Sequence, residues 1–406
     1  MPVERFALGD PAEVAARVRA LAPAAASVTS AVGQIVANVR AHGDAALEAY
    51  VERLDGAHGP LRVAPEELAA ALEDLDPDVR AGLEVAIANV RAVAVAGCDD
   101  EREVALPEGQ LVRLREVAVH RAAIYVPGGR APYPSTVVMG VVTARAAGVE
   151  EVVVCAPGAH PIILAACALC EVDAVFRMGG AQAVAALAYG TETVPRADVV
   201  AGPGNLYVQE AKRLVSGDVG IDGFAGPSDV LVLASEGADP ALVAIDLAAQ
   251  AEHGEGTIVC AVSDDADLLD AIELDPGAAV AALVDAPGLD AALAFAEAFA
   301  PEHLELIGPD AEALAPRVRS AGCVFVGRDS ATAFGDYVAG SNHTLPTGGA
   351  ARFASGLSAR HFRRRMSEVR IGPAAAALAR AGAPIARAEG FELHAASMEV
   401  RENPAP

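Results

Sequence analysis

Two successive series of short apolar runs constrain the fold of this chain more than any other feature. The first, between residues 122 and 200, reads AAIYV, EVVVCA, AVFRM and ADVVA; the second, between 229 and 327, reads DVLVLA, TIVCAV, AALVDA, HLELIG and CVFVG. Runs of this length, apolar at nearly every position, predict strands covered on both faces, hence parallel sheets with helical crossovers. Helices are expected to begin near Pro134, Pro161 and Ala181, and in the second series to cover about 239–253, 264–273, 288–299 and 310–321. Glycine follows each strand of the first series: Gly128-Gly129, Gly158, Gly179-Gly180 and Gly202-Pro-Gly204-Asn205. The carboxyl edge of such a sheet is where backbone amides and helix starts can face a phosphate, so a dinucleotide is possible there. The usual fingerprint is incomplete, because Tyr207 stands where its third glycine belongs and no strand carries a ribose-binding acid at the expected distance.

Residues 10 to about 97 read as helical, opened by Asp10-Pro11, and LVRLREVAV then alternates as a strand does. Past Gly327 the chain turns rich in glycine, serine and arginine, then shows helical patterns at 374–381 and 384–389. That tail has too little apolar surface to fold alone and is expected to dock on another body.

At 406 residues, with 53% hydrophobic content, the chain can fill more than one core. Its net charge of −25, with Arg363-Arg364-Arg365 as the longest basic run, argues against a nucleic-acid partner. A single lysine, Lys212, means that any Schiff-base chemistry would have to use it. No basic, then apolar, leader and no uncharged stretch of about 20 apolar residues occurs, so a cytoplasmic protein without membrane association is expected. Cys167 and Cys170 sit in the apolar ILAACALC and read as small buried hydrophobes.

Chemistry-bearing residues gather at a few places. In IDLAAQAEHGEG, Gln250 and His253 lie three apart at a helix end, one face and one turn from each other. They form a two-ligand corner or a polar helix end; spacing leaves both open, with Asp336 and His394 as distant candidate partners. Glu302-His303 opens the strand HLELIG. A carboxylate beside an imidazole suits proton removal and water activation, although an ordinary strand entry has the same pattern. Asp336 and His343 share a glycine-rich loop, whereas His42, His58, His120 and His160 sit in solvated contexts.

Several stretches together resemble the histidinol dehydrogenase family: YVPGGRAPYPSTVVM, MGGAQAVAALAYGT, VAGPGNLYVQEAKR, IDGFAGPSDVLV, AQAEHG, APEHLEL, FGDYVAGSNHTLPTGGAARFASGLS and AEGFELHAASM, spanning about 125 to 398 in the family's order. The resemblance implies two incomplete Rossmann-like doubly wound α/β domains in an intertwined homodimer. It divides the chain into an N-terminal tail and helix (1–24), a zinc and catalytic domain (25–121 with 229–354), an NAD-binding domain (122–228), and a tail (355–406) completing the partner's site.

The implied zinc ligands are Gln250, His253, Asp336 and His394, with remaining positions taken by substrate nitrogens. The implied NAD contacts are Tyr125, Gln182 and Asn205, and Ser228, His303, His343 and Glu389 would line the substrate pocket together with the ligands. The implied reaction is oxidation of L-histidinol through L-histidinal to L-histidine with two NAD, His303 taking the hydroxyl proton and Glu302 activating water. Asp229, where the family usually has glutamate, and His361, where an acid is more usual, depart from the pattern, and the chain is a little short for the family. Alternatives are a relative acting on another small alcohol such as a sulfonated diol, against which Glu389 argues, a zinc hydrolase using Glu302, and a cysteine-dependent aldehyde dehydrogenase.

Overall fold

The computed structural model describes residues 3–23, 27–56, 58–128, 131–224 and 226–402. Gly129, from the first glycine pair, lies outside them. The chain forms two compact units: Met1–Gly97 with Val119–Phe362, and Cys98–Ala118 with Arg363–Pro406.

The first unit holds two parallel sheets. Six strands run in the order Val3–Ala7, Val280–Asp285, Ile258–Ser263, Asp229–Ala234, His303–Ile307, Cys323–Val326, and five in the order Ala174–Phe176, Glu151–Cys155, Arg121–Tyr125, Val199–Ala201, Gly220–Ile221. Setting aside Val3–Ala7, both sheets wind outward from their first strand in each direction, so each has a switch point, beside Asp229–Ala234 and beside Arg121–Tyr125. The apolar runs follow from this double coverage. Leu231 and Leu233 pack with Phe295, Phe299 and Leu304 on one face, while Val230 and Val232 pack with Val243 and Leu247 on the other. At Gly140 an added Cβ would strike the Ile124 side chain, so glycine lets the helical segment 134–146 lie close on its sheet.

The structure differs from the sequence reading in several places: the expected helix 310–321 is Pro309–Glu312 followed by the short turn Ala315–Arg317, and residues 98–118, expected with the catalytic domain, belong to the second unit. Val3–Ala7, expected as a tail, pairs in parallel with Val280–Asp285, and the helix Pro11–Arg19 then packs on Leu289–Phe299, so the chain start belongs to the six-stranded body. The helix Thr29–Tyr50, expected with the catalytic domain, packs instead on the helices Gly180–Tyr189 and Leu206–Val215, burying Val32, Val36, Val39 and Leu47 in the core of the five-stranded sheet. The arginine-rich stretch is a strand: Arg363–Arg370 pairs antiparallel with Leu111–Ala118, which also takes Arg102–Ala105. Finally, the two short tail helices are one, Ala375–Ala388, running through Pro384, because the alanine face of Ala379, Ala383 and Ala386 continues past the proline to meet Glu392–Glu399.

Lys212 is buried, and its ammonium donates to the Asp222 carboxylate (2.6 Å) and the Gly202 carbonyl. It is a structural cation and no Schiff-base nucleophile. Cys155, Cys167, Cys170 and Cys260 are buried free thiols, and His42, His58, His120 and His160 are exposed, as expected. Among the described residues no helix is long and apolar enough to cross a membrane.

Candidate active site

The helix Pro240–Ala251 runs back across the six-stranded sheet, so its last turn reaches the amino ends of the strands, where Asp229 and His303 are first residues. The chain leaves the helix through Gly254, whose φ of 86° is easily reached only by glycine. A cleft of about 320 Å³ opens there, lined among others by Gln250, His253, Asp336 and His343. The helix ends two residues before the expected 253, and His253 stands in the turn beyond it.

Hydrogen bonds join the cleft to the strand edge. Gln250 donates through Nε2 to the Ser228 hydroxyl, which donates to Glu302 Oε2. That oxygen also accepts the Asp229 N–H at 3.1 Å. The direction of this chain leaves Gln250 Oε1 as the amide's acceptor atom. His253 Nδ1 lies 3.1 Å from the Gln250 carbonyl, a contact that fixes the tautomer with Nε2 as the lone-pair nitrogen. His303 Nδ1 lies 3.3 Å from the Asp229 carbonyl, and Nε2 is 3.9 Å from Asp336 Oδ1.

Burial shifts the titration of these groups. Desolvation, with the Asp229 charge second, pushes Glu302 well above the usual carboxylate range. Desolvation lowers His303 to about 3 and His343 to about 4, so both imidazoles are neutral acceptors near pH 7. It raises Asp336 to about 6. The His343 Nε2 atom is buried without a partner, a vacancy that a donor on a ligand would satisfy. The loop carrying it is pinned by Asn342, which donates to the Met139 carbonyl (3.0 Å) and the Thr143 hydroxyl (3.2 Å).

Among the described residues no three His, Cys, Asp or Glu side chains gather as a metal cage. Gln250, His253 and Asp336 do line one cleft, and their amide oxygen, imidazole and carboxylate fit as part of a coordination sphere that needs further ligands. Glu389 and His394 belong to the second unit, where Glu389 caps Ala375–Ala388 and His394 packs its ring against Phe391 at 5.1 Å; both are exposed.

At the carboxyl edge of the five-stranded sheet a second cleft, of about 470 Å³, is lined by Tyr125, Gln182 and Asn205. Tyr125 ends its strand and its hydroxyl accepts the Gly180 N–H at 3.0 Å; Asn205 caps Leu206–Val215 by accepting from Tyr207 and Val208. Gly202, at φ 121°, has no room for a Cβ against the Tyr125 backbone.

The family model described as histidinol dehydrogenase matches residues 20–402. The chain belongs to this family. It is 42% identical to the histidinol dehydrogenase of Rhizobium meliloti over 93% of this chain and 92% of that one, and 43% identical to that of Haloarcula marismortui over 92% and 94%. The crystal structure of histidinol dehydrogenase from Elizabethkingia anophelis superposes with a TM-score of 0.92 at 29% identity, covering 98% of each chain. Membership makes the protein an oxidoreductase.

Two departures from the family pattern now have surroundings. His361 accepts the Ser358 N–H at 3.1 Å, closing a local turn. Asp229 is central: Oδ1 accepts the Glu302 N–H at 2.7 Å, and Oδ2 accepts from Arg19 at 3.1 Å and from the Gly348 N–H at 3.3 Å. Arg19 also donates to the Phe299 carbonyl and lies 3.9 Å over the Phe299 ring. Sequence reasoning missed Arg19, because nothing within its helix marks it as bound 210 residues away. It also missed Glu305, buried behind His303, whose Oε1 accepts the Thr332 N–H and hydroxyl, each at 2.7 Å, and so fixes the start of the helix that carries Asp336.

Removing Arg19 leaves a buried carboxylate without its cation. Arg19→Met is expected to cost about 3–5 kcal/mol at neutral pH, read from urea unfolding. Burial already raises Asp229, and without the guanidinium it rises further. The folded mutant therefore holds the proton more tightly than the folded wild type, and the penalty grows as pH rises through the raised wild-type value toward the higher mutant one. A penalty at pH 5 equal to that at pH 8 would refute the pairing.

Proposed function

We propose that this protein catalyses the NAD-dependent four-electron oxidation of L-histidinol through L-histidinal to L-histidine, the last steps of histidine biosynthesis, with one zinc ion per subunit positioning the substrate. The observation that carries the reading is the buried Glu302-His303 pair, tied through Ser228 to Gln250 in the cleft that His253 and Asp336 also line. The zinc supplies an anchor for substrate nitrogens when held by Gln250, His253, Asp336 and a further histidine, and NAD supplies the hydride acceptor.

His303 is neutral and its Nδ1 is committed to the Asp229 carbonyl, so Nε2 is the atom that takes the hydroxyl proton as the carbinol hydride departs. The aldehyde then needs water. Glu302 receives both of its hydrogen bonds on Oε2, and its raised proton affinity makes it a stronger base than an exposed carboxylate once ionised. Attack gives the aldehyde hydrate, which loses a second hydride and proton to yield the acid. Ser228 holds Glu302 and Gln250 in register throughout. Tyr125, Gln182 and Asn205 hold the nucleotide.

The site is proposed to be completed across a homodimer by Glu389 and His394 of the partner subunit. Ile245, Phe334 and Tyr337 leave apolar surface exposed close in sequence to Gln250, His253 and Asp336, as do Phe391 and Leu393 beside His394, and paired burial of such surface drives association. Electrostatics agree: a carboxylate from Glu389 suits an ammonium-bearing substrate.

Three outcomes test this. Glu302→Gln should oxidise the alcohol yet lose oxidation of added histidinal by roughly a hundredfold or more, whereas His303→Asn should be slow in the alcohol step; two NADH per histidine measured at 340 nm identifies the wild-type reaction. The zinc affinity of the metal-free protein should weaken as pH drops below about 6, where Asp336 takes up its proton, and equal affinity at pH 5 and 7.5 counts against Asp336 as a ligand. Coexpressed His253→Ala and His394→Ala chains, each inactive alone, should recover roughly a quarter of wild-type sites, since half of randomly assembled dimers are mixed and one of their two sites is intact; isolated heterodimers that stay inactive would exclude a shared site.

A further inference from the structure

The cleft at the carboxyl edge of the five-stranded sheet has one wall that no strand supplies. Thr29–Tyr50 ends in a π-helical turn, Val51–Asp55, closed by Gly56 in the left-handed region, and the turn delivers Asp55 into the cleft beside Tyr125 and Gln182. Asp55 Oδ2 accepts the Gly179 N–H at 2.8 Å and Oδ1 accepts from Gln182 Nε2 at 3.2 Å. Each oxygen thus has one bond and a second lone pair. The Gln182 Oε1 atom is buried with no partner, so the cleft holds an acceptor still awaiting a donor. Leu54 and Tyr207 line the same cleft and stay 52% and 43% exposed, offering apolar surface to a flat base. Among the described residues that line it, none is lysine or arginine.

We infer that Asp55 binds the adenosine ribose diol of the dinucleotide and sets the preference for NAD over NADP. The inference rests on reading this cleft as the nucleotide site. Paired hydroxyls are the donors that a carboxylate with open lone pairs takes, the role an acid after the second strand plays in an ordinary dinucleotide fold. A 2′-phosphate would meet that carboxylate with no cation among the described lining residues to offset it.

The test is calorimetric titration of the substrate-free protein with NAD and with NADP. Wild-type protein should bind NAD more tightly. Asp55→Asn should weaken NAD by roughly tenfold and leave NADP unchanged or tighter, collapsing the ratio, while Asp55→Glu keeps the charge and the preference. Asp55→Ser gives the same readout should Asp55→Asn unfold. Asn205→Ala is the control and should weaken both nucleotides alike. If that control weakens both but Asp55→Asn and Asp55→Ser keep the wild-type ratio, Asp55 does not read the ribose and the cleft remains the nucleotide site. If wild-type protein binds neither nucleotide, the nucleotide reading falls and this inference with it.

Discussion

The buried Asp229 carboxylate is the fixed point of the six-stranded body. Its side chain takes the Glu302 N–H, its own N–H goes to the Glu302 carboxylate, and its carbonyl meets His303. Two neighbouring parallel strands are thereby locked at their first residues, where no regular ladder continues to hold them. A charge this deep in the protein needs a counter-ion, and Arg19 supplies it from the first helix while stacking on Phe299. The amino terminus is therefore part of the scaffold of the site: the edge strand Val3–Ala7 and the helix Pro11–Arg19 bring that guanidinium to the amino ends of Asp229–Ala234 and His303–Ile307.

The two sheets share a winding order and use opposite edges. At the five-stranded sheet Tyr125, Gln182 and Asn205 follow the carboxyl ends, the place expected of an open parallel sheet. In the six-stranded sheet Ser228, Asp229, Glu302 and His303 gather at the amino ends. A crossover helix runs opposite to its strands, so its carboxyl terminus lies at that edge, and this brings Gln250 and His253 to the same end of the sheet. Helix starts with open N–H groups suit phosphates; a helix end with carbonyls outward suits cations and ring nitrogens.

What was legible in the sequence was local. The apolar runs marked the nine strands of the two series, IDLAAQAEHGEG marked a helix end close to Gln250 and His253, and Glu302-His303 was visible as a titratable strand entry. What was not legible depended on partners far along the chain. Val3–Ala7 alternates too briefly to declare itself, and its pairing lies 278 residues away, from Val3 to Ala281. The strand Arg363–Arg370 was not legible because its charges are taken up only across the sheet and by its neighbours, as in Arg365 with Glu116 and Asp99. The domain assignment of Thr29–Tyr50 failed for the same reason, since an apolar face does not say which sheet will cover it. Asp55 was hidden because it reaches the cleft from a helix end, while most of the lining follows strands far along the chain.

The amide at position 250 follows from proton counting. Ser228 has one hydroxyl proton, and it goes to Glu302. Its oxygen can then only accept, and Gln250 meets it with an N–H. A glutamate at 250 would set acceptor against acceptor or draw the serine proton away from Glu302. It would also add a carboxylate to an edge where Asp229, Glu302 and Asp336 are already pushed up by burial. Glutamine keeps an oxygen facing the cleft, adds no charge, and fixes the direction of the hydrogen-bond chain. The amide is the residue type that lets a helix end lining the cleft and the buried Glu302 carboxylate share one serine.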